Sequence, residues 1–477
     1  MKRKNILKLL STGLALTLLL TACVAGDDPV ETDPSDDPSV EEPGDATDPS
    51  DDPDETDDPV ETEQGETLRI YVWNEEWQDL FNTYYADRVP EGINVEWVLT
   101  VNEDNAYQDK LDQDLLKQFD ADPEDRIDLF LVEADYALKY VNSEYSMDVY
   151  NEIGLTEEDL SQQYQYTKEI VTDDNGVLKG TSWQATPGLF AYRRSIAQDV
   201  LGTDDPAEVQ EFLSDWDKFD NIAEKASGKG YKMLSGYDDS YRVFSNNVSS
   251  PWVDGTKIVI DDNLMRWVDQ TKEYTDKKYN NKTSLWAPEW SADQGPSGDV
   301  FGFFYSTWGI NFTLLENSLE TPLKEGGVAE LGNGIFGDYA VCQGPESYYW
   351  GGTWICAAEG TDNIETIRDI MLTLTCDKDV MKQITLDTED YTNNMAAMGE
   401  IAGSDYASEF LGGQNHIALF AEAAPLIDMS NISTYDQGLN EGFQEAFKDY
   451  FDGNVDKDVA LENFYTSAIE TYPELTY

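Results

Sequence analysis

Asp128-Leu129-Phe130-Leu131-Val132 is the stretch that decides the fold, because four consecutive apolar residues follow a single carboxylate. A short strand that is apolar on both faces is typical of a parallel sheet covered by helices on both sides. Glu133-Ala134-Asp135-Tyr136 follows directly, so two acidic side chains stand at the carboxyl end of the predicted strand. The stretch therefore predicts a buried α/β sheet with polar groups at one edge.

The residues before this strand extend the same sheet. Residues 67–73 and 93–98 alternate apolar and polar side chains, as strands do, and apolar residues at helical spacing predict helices over 77–87 and 105–119. Strand and helix in alternation are typical of a doubly wound sheet, in which ligands bind beyond the carboxyl ends of the strands. The first strand ends in Trp73-Asn74-Glu75, which makes this tripeptide a second candidate for the site.

Further elements follow along the chain. Asn175-Gly176 predicts a type I′ hairpin. Asp215-Trp216-Asp217 opens a predicted helix. Residues 275–300 are expected to form a loop that holds Trp286 and Trp290.

Charge and composition limit the function. The chain of 477 residues has a net charge of −65, and its aromatic excess includes 12 Trp and 27 Tyr. Strong acidity argues against binding to nucleic acid, which requires basic patches, and against direct adsorption to anionic lipid. The length is sufficient for two domains with a large core. The acidity favours a neutral or cationic ligand.

The first 22 residues predict an export signal. A basic start, Met1-Lys2-Arg3-Lys4, precedes an apolar run that is too short to span a bilayer and that ends in Leu20-Thr21-Ala22-Cys23. This ending resembles the bacterial lipoprotein motif, in which the cysteine is lipidated and becomes the mature N-terminus. We expect lipidation at Cys23, and then a disordered, acidic, proline-rich tether over 23–66 that contains no Lys or Arg.

Several motifs follow one another in a recognisable order. They include the helix start Asp215-Trp216-Asp217, the small-residue turn Tyr305-Ser306-Thr307-Trp308 and the glycine-rich segment Gly351-Gly352-Thr353-Trp354-Ile355. This order resembles the extracellular solute-binding proteins of bacterial carbohydrate ABC importers, the family that includes maltose-binding protein. The chain departs from the family at Tyr192-Arg193-Arg194, where Tyr-Asn-Lys is common.

The resemblance implies an α/β fold of two lobes, the periplasmic-binding-protein-like fold. Each lobe would be a doubly wound mixed sheet with helices on both faces, and three crossings would join the lobes and let them close on a ligand by a hinge. The expected crossings lie near residues 184–187, 341–350 and 386–394. The expected lobes are 67–184 plus 350–386 for lobe one and 187–343 plus 393–477 for lobe two.

The aromatic excess has a candidate use in a sugar site. Sugars present hydroxyl edges and apolar C–H faces, so such a site combines aromatic rings with carboxylates and amides. The candidate rings stand at strand ends or crossings, and for each of them packing in the core is the alternative: Trp73, Trp183, Trp308, Tyr348, Tyr349, Trp354. The candidate polar partners follow the first and third strands: Asn74, Glu75, Asp135.

Other chemistry finds little support in the sequence. His416 is the only histidine, which excludes a Ser-His-Asp triad and a metal site with several histidines. Asp452-x-Asn454-x-Asp456-x-Asp458 has part of the spacing of a calcium loop but lacks its glycine and glutamate. Cys342, Cys356 and Cys376 are expected to be buried thiols, with a bridge between the first two as the alternative. We predict no catalytic residue, metal or cofactor.

We therefore predict a lipid-anchored protein on the extracellular face of the membrane of a Gram-positive bacterium. It would capture a carbohydrate, in particular an oligosaccharide, and deliver it to an ABC permease, acting as a monomer that binds no nucleic acid. Two alternatives stay open. One is a binder of another solute, such as a polyamine or peptide; the other is a surface glycosidase, which needs only two carboxylates.

Overall fold

The computed structural model describes residues 65–103 and 105–477. The predicted leader, the lipidation site Cys23 and the tether as far as residue 64 lie outside the described residues. The tether was predicted to run to residue 66, but ordered structure begins earlier. Gly65 is buried and its backbone N–H donates to the carbonyl of Asp362 at 3.2 Å.

Ten strands form two main sheets and one small hairpin in the described part of the chain. In chain order they are β1 (Thr67–Val72), β2 (Asn94–Leu99), β3 (Leu129–Val132), β4 (Thr181–Ser182), β5 (Gly188–Arg193), β6 (Val253–Asp254), β7 (Lys257–Ile258), β8 (Gly302–Ser306), β9 (Tyr339–Cys342) and β10 (Trp354–Ala357).

The first sheet has five strands in the order β2-β1-β3-β10-β4. Strand β1 runs parallel to β2 and β3, while β10 pairs antiparallel with both β3 and β4. All four residues of β3 are buried, as the apolar run predicts. Asp128 anchors the start of β3, because its carboxylate accepts a 2.6 Å hydrogen bond from the backbone N–H of Arg69 on β1. We call this sheet and its helices the first lobe.

The second sheet has three strands in the order β8-β5-β9, and both pairings are antiparallel. Parallel bridges extend it beyond these strands, from Lys232 to Val300 and from Gly236 to Thr283. The sheet is therefore mixed, but its parallel part is limited to single bridges. We call this sheet and its helices the second lobe.

Helices surround both sheets. They are α1 (Glu76–Tyr84), α2 (Ala106–Leu115), α3 (Ala137–Val141), α4 (Gln165–Glu169), α5 (Arg194–Leu201), α6 (Pro206–Leu213), α7 (Trp216–Gly228), α8 (Tyr241–Asn246), α9 (Asp262–Lys277), α10 (Pro288–Asp293), α11 (Thr307–Gly309), α12 (Glu316–Ser318), α13 (Ile364–Met371), α14 (Lys378–Thr388), α15 (Met395–Ala402), α16 (His416–Ala423), α17 (Asp436–Phe451) and α18 (Lys457–Thr471).

Turns of tighter or wider helix complete the list. They are 3-10 turns at Ala86–Arg88, Pro123–Asp125, Leu323–Glu325 and Ala424–Leu426, and π-helical turns at Ile310–Leu315 and Leu372–Cys376. No helix in the described residues is sufficiently long and apolar to span a bilayer.

Local sequence signals fix several helix ends. Asp215 caps α7, as expected, because its carboxylate accepts a 2.8 Å hydrogen bond from the backbone N–H of Lys218. Such caps satisfy backbone donors that the first turn leaves free. The predicted helices 77–87 and 105–119 are both shorter than expected at their C-terminal ends.

Two local predictions were wrong. The turn at Asn175-Gly176 is not type I′, because only Gly176 has a positive φ, of 80°, and type I′ needs two such residues. Instead, the Asp173 carboxylate accepts from the backbone N–H groups of Asn175 and Val177 and holds a different turn. The region 275–300 is not all loop, since α10 lies within it and buries Trp290.

The three cysteines of the described region are free thiols. Cys342 lies on β9 and Cys356 on β10, so the two residues belong to different sheets. Burial raises the pKa of the Cys342 thiol to about 12. The two thiols therefore form no disulfide bridge, which was the alternative considered above.

Gly188 is a position where the fold tolerates no side chain. A Cβ atom there would stand 2.1 Å from Cζ of Tyr348, whose ring is fully buried. The Tyr348 hydroxyl donates towards the carbonyls of Leu189 and Tyr305, at 3.0 and 2.8 Å, so the ring is fixed at its far end.

We expect Gly188→Ala to destabilise the protein by about 1–3 kcal/mol or more, because overpacking forces neighbours to shift. The measurement is the urea midpoint of unfolding. Gly399→Ala is the matched control, since Gly399 is exposed within α15 and a Cβ there would meet nothing within 4 Å. That control should gain up to about 1 kcal/mol through helix propensity. Equal midpoints for the two variants would contradict the packing argument.

Candidate functional site

Three segments of chain join the two lobes, and they lie side by side. The first crossing, 183–188, lies between the other two. It is hydrogen-bonded on one side to the third crossing, at residues 391–393, and on the other to the second crossing, at residues 348–350. The four backbone bonds are Asn393 N to Trp183 O at 2.8 Å, Ala185 N to Tyr391 O at 3.2 Å, Gly188 N to Tyr348 O at 2.7 Å and Trp350 N to Thr186 O at 3.2 Å. This ribbon forms the base of a cleft between the lobes.

An aromatic surface borders the second crossing. We call it the aromatic wall; it consists of Trp286, Trp308, Phe312 and Trp350. The rings of Trp286 and Trp308 are stacked, with centroids 6.1 Å apart and planes 20° apart, and Trp308 packs edge-on against Trp350 at 5.3 Å. Trp286 is 49% exposed and Phe312 is 57% exposed, so the wall offers open ring faces to solvent.

The backbone holds the wall in position. The indole Nε1 of Trp308 donates to the carbonyl of Trp350 at 3.0 Å. Gly351 allows this approach, because a Cβ there would lie 3.0 Å from the same nitrogen. Trp286 has a φ of 68°, a left-handed conformation that is unfavourable for a bulky residue and that recurs at functional sites.

A charged contact beside Tyr349 joins the two lobes. Asp135 follows β3 in the first lobe, and both of its carboxylate oxygens accept hydrogen bonds from the guanidinium of Arg242 on α8 in the second lobe. A small open concavity surrounds this pair. We call it the charged cavity; besides the pair, its lining includes Asn246, Tyr349, Asp428, Ser433, Asp436 and Asn440.

Burial and like charges shift the acids of this region. The pKa of Glu133 rises to about 8, first because the group is buried and second because Asp135 is nearby. Burial likewise raises the pKa of Asp436 to about 7. For Arg242, burial opposes the charge, but the attraction of Asp135 outweighs it and the pKa is raised. Arg242 therefore stays charged, while burial shifts the pKa values of Glu133 and Asp436 towards neutral pH.

The end of β1 provides a further acid. The sequence predicted site residues at Trp73, Asn74 and Glu75. In the structure Asn74 and Glu75 are exposed at the surface. Trp73 is half-buried and packs against Tyr107, with ring centroids 5.4 Å apart. The Asn74 side chain accepts from the backbone N–H of Glu76 at 3.1 Å, so it stabilises the local turn.

Glu76 itself is the residue of this segment that faces the crossings. It is half-buried, and burial, followed by the charge of Asp390, raises its pKa to about 8. Asp390 belongs to the third crossing and accepts a 2.7 Å hydrogen bond from Gln184 of the first crossing.

Three of the predicted rings lie in the core. Trp354 is fully buried and its Nε1 donates to the carbonyl of Thr167 at 2.7 Å. Trp183 is 1% exposed, and Tyr348 is held between strands as described above. None of these three rings offers a face to solvent, since each is at most 1% exposed.

The structure thus groups the predicted residues only in part. Asp135 and Tyr349 meet in the charged cavity, and Trp308 stands in the aromatic wall. Sequence reasoning did not select Glu76, Arg242, Asp436 or Trp286. The scarcity of basic residues was a usable signal for Arg242, since the chain has 31 Lys and Arg against 96 Asp and Glu.

The acidic motif at Asp452 has a different role from the calcium loop considered above. The Asp452 carboxylate accepts hydrogen bonds from Lys282 at 2.9 Å and from the Tyr237 hydroxyl at 2.8 Å. Within the described residues, no group of three or more His, Cys, Asp or Glu side chains is placed to hold a metal ion.

Comparison with solved structures shows the fold. One similar structure is an extracellular solute-binding protein of family 1, with a TM-score of 0.68 and 16% identity over 85% of this chain and 99% of that one. Another is the galacto-N-biose-/lacto-N-biose I-binding protein of the ABC transporter from Bifidobacterium longum, in complex with lacto-N-biose. Its TM-score is 0.64 and its identity 13%, over 86% of this chain and 98% of that one.

A third similar structure is an ABC transporter substrate-binding protein from Listeria monocytogenes in complex with cycloalternan. It has a TM-score of 0.60 and 14% identity over 85% of this chain and 99% of that one. The expected two-lobe α/β fold with three crossings is confirmed by these likenesses.

No curated protein matches the chain. A family model does: bacterial extracellular solute-binding protein, over residues 92–397. The match covers more than half of the chain and includes all three crossings and every strand of the two main sheets except β1. This chain therefore belongs to the bacterial extracellular solute-binding proteins.

Proposed function

We propose that this protein is the solute-binding component of an ABC importer and that it captures a carbohydrate, in particular an oligosaccharide. The observation that carries the proposal is the open aromatic wall, which stands beside a cavity lined by amides and carboxylates. The similar structures from Bifidobacterium longum and Listeria monocytogenes, which hold lacto-N-biose and cycloalternan, support a sugar as the ligand class.

The two surfaces suit the two faces of a sugar. The stacked rings of Trp286 and Trp308 offer a flat platform for C–H faces, and such rings combine a large apolar area with little loss of side-chain entropy. Asn246, Asn440 and Asp436 supply oxygens and amide groups for hydroxyl edges. In the proposal, the crossings are supported by Trp183, Tyr348 and Trp354. The ligand is contacted by the aromatic wall, the charged cavity, Trp73 and Glu75.

Binding would work by closure of the lobes about the crossings, and delivery would be to separate permease subunits. The proposal retains lobe one as 67–184 plus 350–386 and lobe two as 187–343 plus 393–477. Each main sheet draws its strands from one of these sets, which supports the division. Closure by a hinge would bury the sugar between the two sets of side chains.

The proposal also retains a lipid anchor at Cys23, on the extracellular face of the membrane. Two acyl chains hold a protein stably where one does not. A tether of about forty residues would keep the lobes close to the permease and raise their effective concentration there.

Removing one ring of the wall should weaken sugar binding while the fold is retained. We expect Trp286→Ala and Trp308→Ala each to lower the affinity about tenfold or more, since a lost stacking platform costs about 1.4 kcal/mol or more. Titration calorimetry against a panel of oligosaccharides measures the change, and circular dichroism checks the fold.

Phe119→Ala is the matched control for the wall variants, because Phe119 is 50% exposed but stacks on Tyr145 in the first lobe. It should bind like the unchanged protein. Polyamines and peptides belong in the same panel, and release of reducing sugar is measured alongside. Binding of a polyamine alone, or turnover of any sugar, would refute the proposal of a non-catalytic carbohydrate binder.

Lipidation at Cys23 is testable in a bacterium that processes lipoproteins. We expect Cys23→Ala to move the protein from the membrane fraction to the medium, because the thiol that accepts the lipid is lost. Cys376→Ala is the control and should leave the protein in the membrane fraction. If Cys23→Ala stays with the membrane, attachment depends on something other than this thiol.

A further inference from the structure

The ion pair between Arg242 and Asp135 connects side chains that stand 107 residues apart in the chain and in different lobes. It is bidentate, the geometry in which guanidinium and carboxylate interact most strongly. When the lobes separate, this pair has to break. We call the pair the latch, and the arrangement in which it is formed the closed form.

The latch is surrounded by an excess of acid. Glu133 stands beside Asp135 in the first lobe, and Asp436 and Glu441 lie on α17 in the second lobe. Among the described residues that line the charged cavity, Arg242 is the single cation. Closure thus brings Glu133 and Asp135 towards Asp436 and Glu441, and one guanidinium cannot neutralise four carboxylates.

We propose that closure of the lobes takes up protons at Glu133 and Asp436, so that mild acidification strengthens the Arg242–Asp135 latch. The like charges that meet on closure oppose it. Protonation of Glu133 and Asp436 neutralises two of these charges and leaves the ion pair between Arg242 and Asp135 intact. The local hydrogen bonds favour the charged forms of both acids, but burial outweighs them. The Glu133 carboxylate accepts a hydrogen bond from the backbone N–H of Asp135 at 2.8 Å. One carboxylate oxygen of Asp436 accepts two hydrogen bonds from Ser433, one from its backbone N–H at 3.1 Å and one from its hydroxyl at 2.6 Å.

The sign of the effect follows from the pKa shifts. In the closed structure the pKa of Glu133 is raised to about 8 and that of Asp436 to about 7, with burial as the first cause in each. Opening admits water and separates the acids, which returns both pKa values towards the ordinary range of about 4. The closed form then binds protons more tightly, so the closed population grows as the pH falls from above 8 to below 7.

Other groups that face the latch keep their charge state in this range. Tyr349 of the second crossing and Tyr241 on α8 have raised pKa values, because both hydroxyls are buried, so they remain neutral. Asp428 has a lowered pKa owing to hydrogen bonds from Ser430, so it remains ionised. Glu441 is the exception, because burial raises its pKa and so favours its protonated form.

Small-angle scattering of the ligand-free full chain at pH 8.5 and pH 6 tests the latch. We expect the unchanged protein to be more compact at pH 6. The double variant Glu133→Gln, Asp436→Asn, which imitates the protonated acids, should be compact at both pH values. Arg242→Met should be extended at both. Since the segment before residue 65 is the same in every variant, differences between variants at one pH report the lobes.

Asp220→Asn is the matched control. Asp220 also has a pKa raised by burial, but it lies between α7 and α9, bonded to Tyr274 at 2.7 Å and Gln270 at 2.9 Å, away from the cleft. It should respond to pH like the unchanged protein. The inference is overturned if the unchanged protein has the same dimensions at both pH values, or if the double variant retains the full pH response.

A second measurement rests on the proposed function. Calorimetry with the oligosaccharide that binds best should show affinity about tenfold or more higher at pH 6 than at pH 8.5, because each unit of pKa shift in one group corresponds to a factor of ten. Glu133→Gln alone, which leaves the proposed sugar contacts in place, should bind more tightly than the unchanged protein at pH 8.5 and should lose part of the pH dependence. If no sugar binds but the ligand-free compaction follows pH as expected, carbohydrate capture fails while the latch stands. If a sugar binds with the same affinity at both pH values, the latch is overturned.

Discussion

The bidentate contact between Arg242 and Asp135 is the constraint on which the cleft depends. A guanidinium that leaves water loses hydration, and the loss is offset only where a carboxylate of matching geometry replaces it. Here the partner comes from the other lobe, so the charge of Arg242 is satisfied fully only when the lobes meet. In a protein with a net charge of −65, a cation at this point offsets part of the repulsion between the acids of the two lobes.

The crossings connect this contact to the aromatic wall. Tyr349 and Trp350 are neighbours in the second crossing, and one lines the charged cavity while the other packs against Trp308. Two surfaces of different chemistry therefore meet on one short segment, which is itself hydrogen-bonded to the first crossing through Thr186.

The sequence predicted the parts of the fold that depend on local patterns. The apolar run of β3, the cap at Asp215 and the two sheets follow from periodicity and from the order of motifs. Arg242 could not be found this way, because its partner Asp135 is distant in the chain and the pair exists only in the folded protein. Glu76 was missed by one residue, since α1 begins there and turns the side chain towards the third crossing. Trp354 and Tyr348 show the reverse case, in which position at a crossing predicted a site but neighbouring strands cover the ring.

Reversible capture requires that the open and closed forms differ by only a few kcal/mol, because a ligand shifts the equilibrium by no more than its differential affinity. A bidentate ion pair alone would favour closure in the absence of a ligand. The opposing acids Glu133, Asp436 and Glu441 reduce that preference by placing like charges beside the same contact. Attraction and repulsion at one point therefore leave a small difference in free energy, and in the proposed function a ligand on the rings of Trp286 and Trp308 shifts it towards closure.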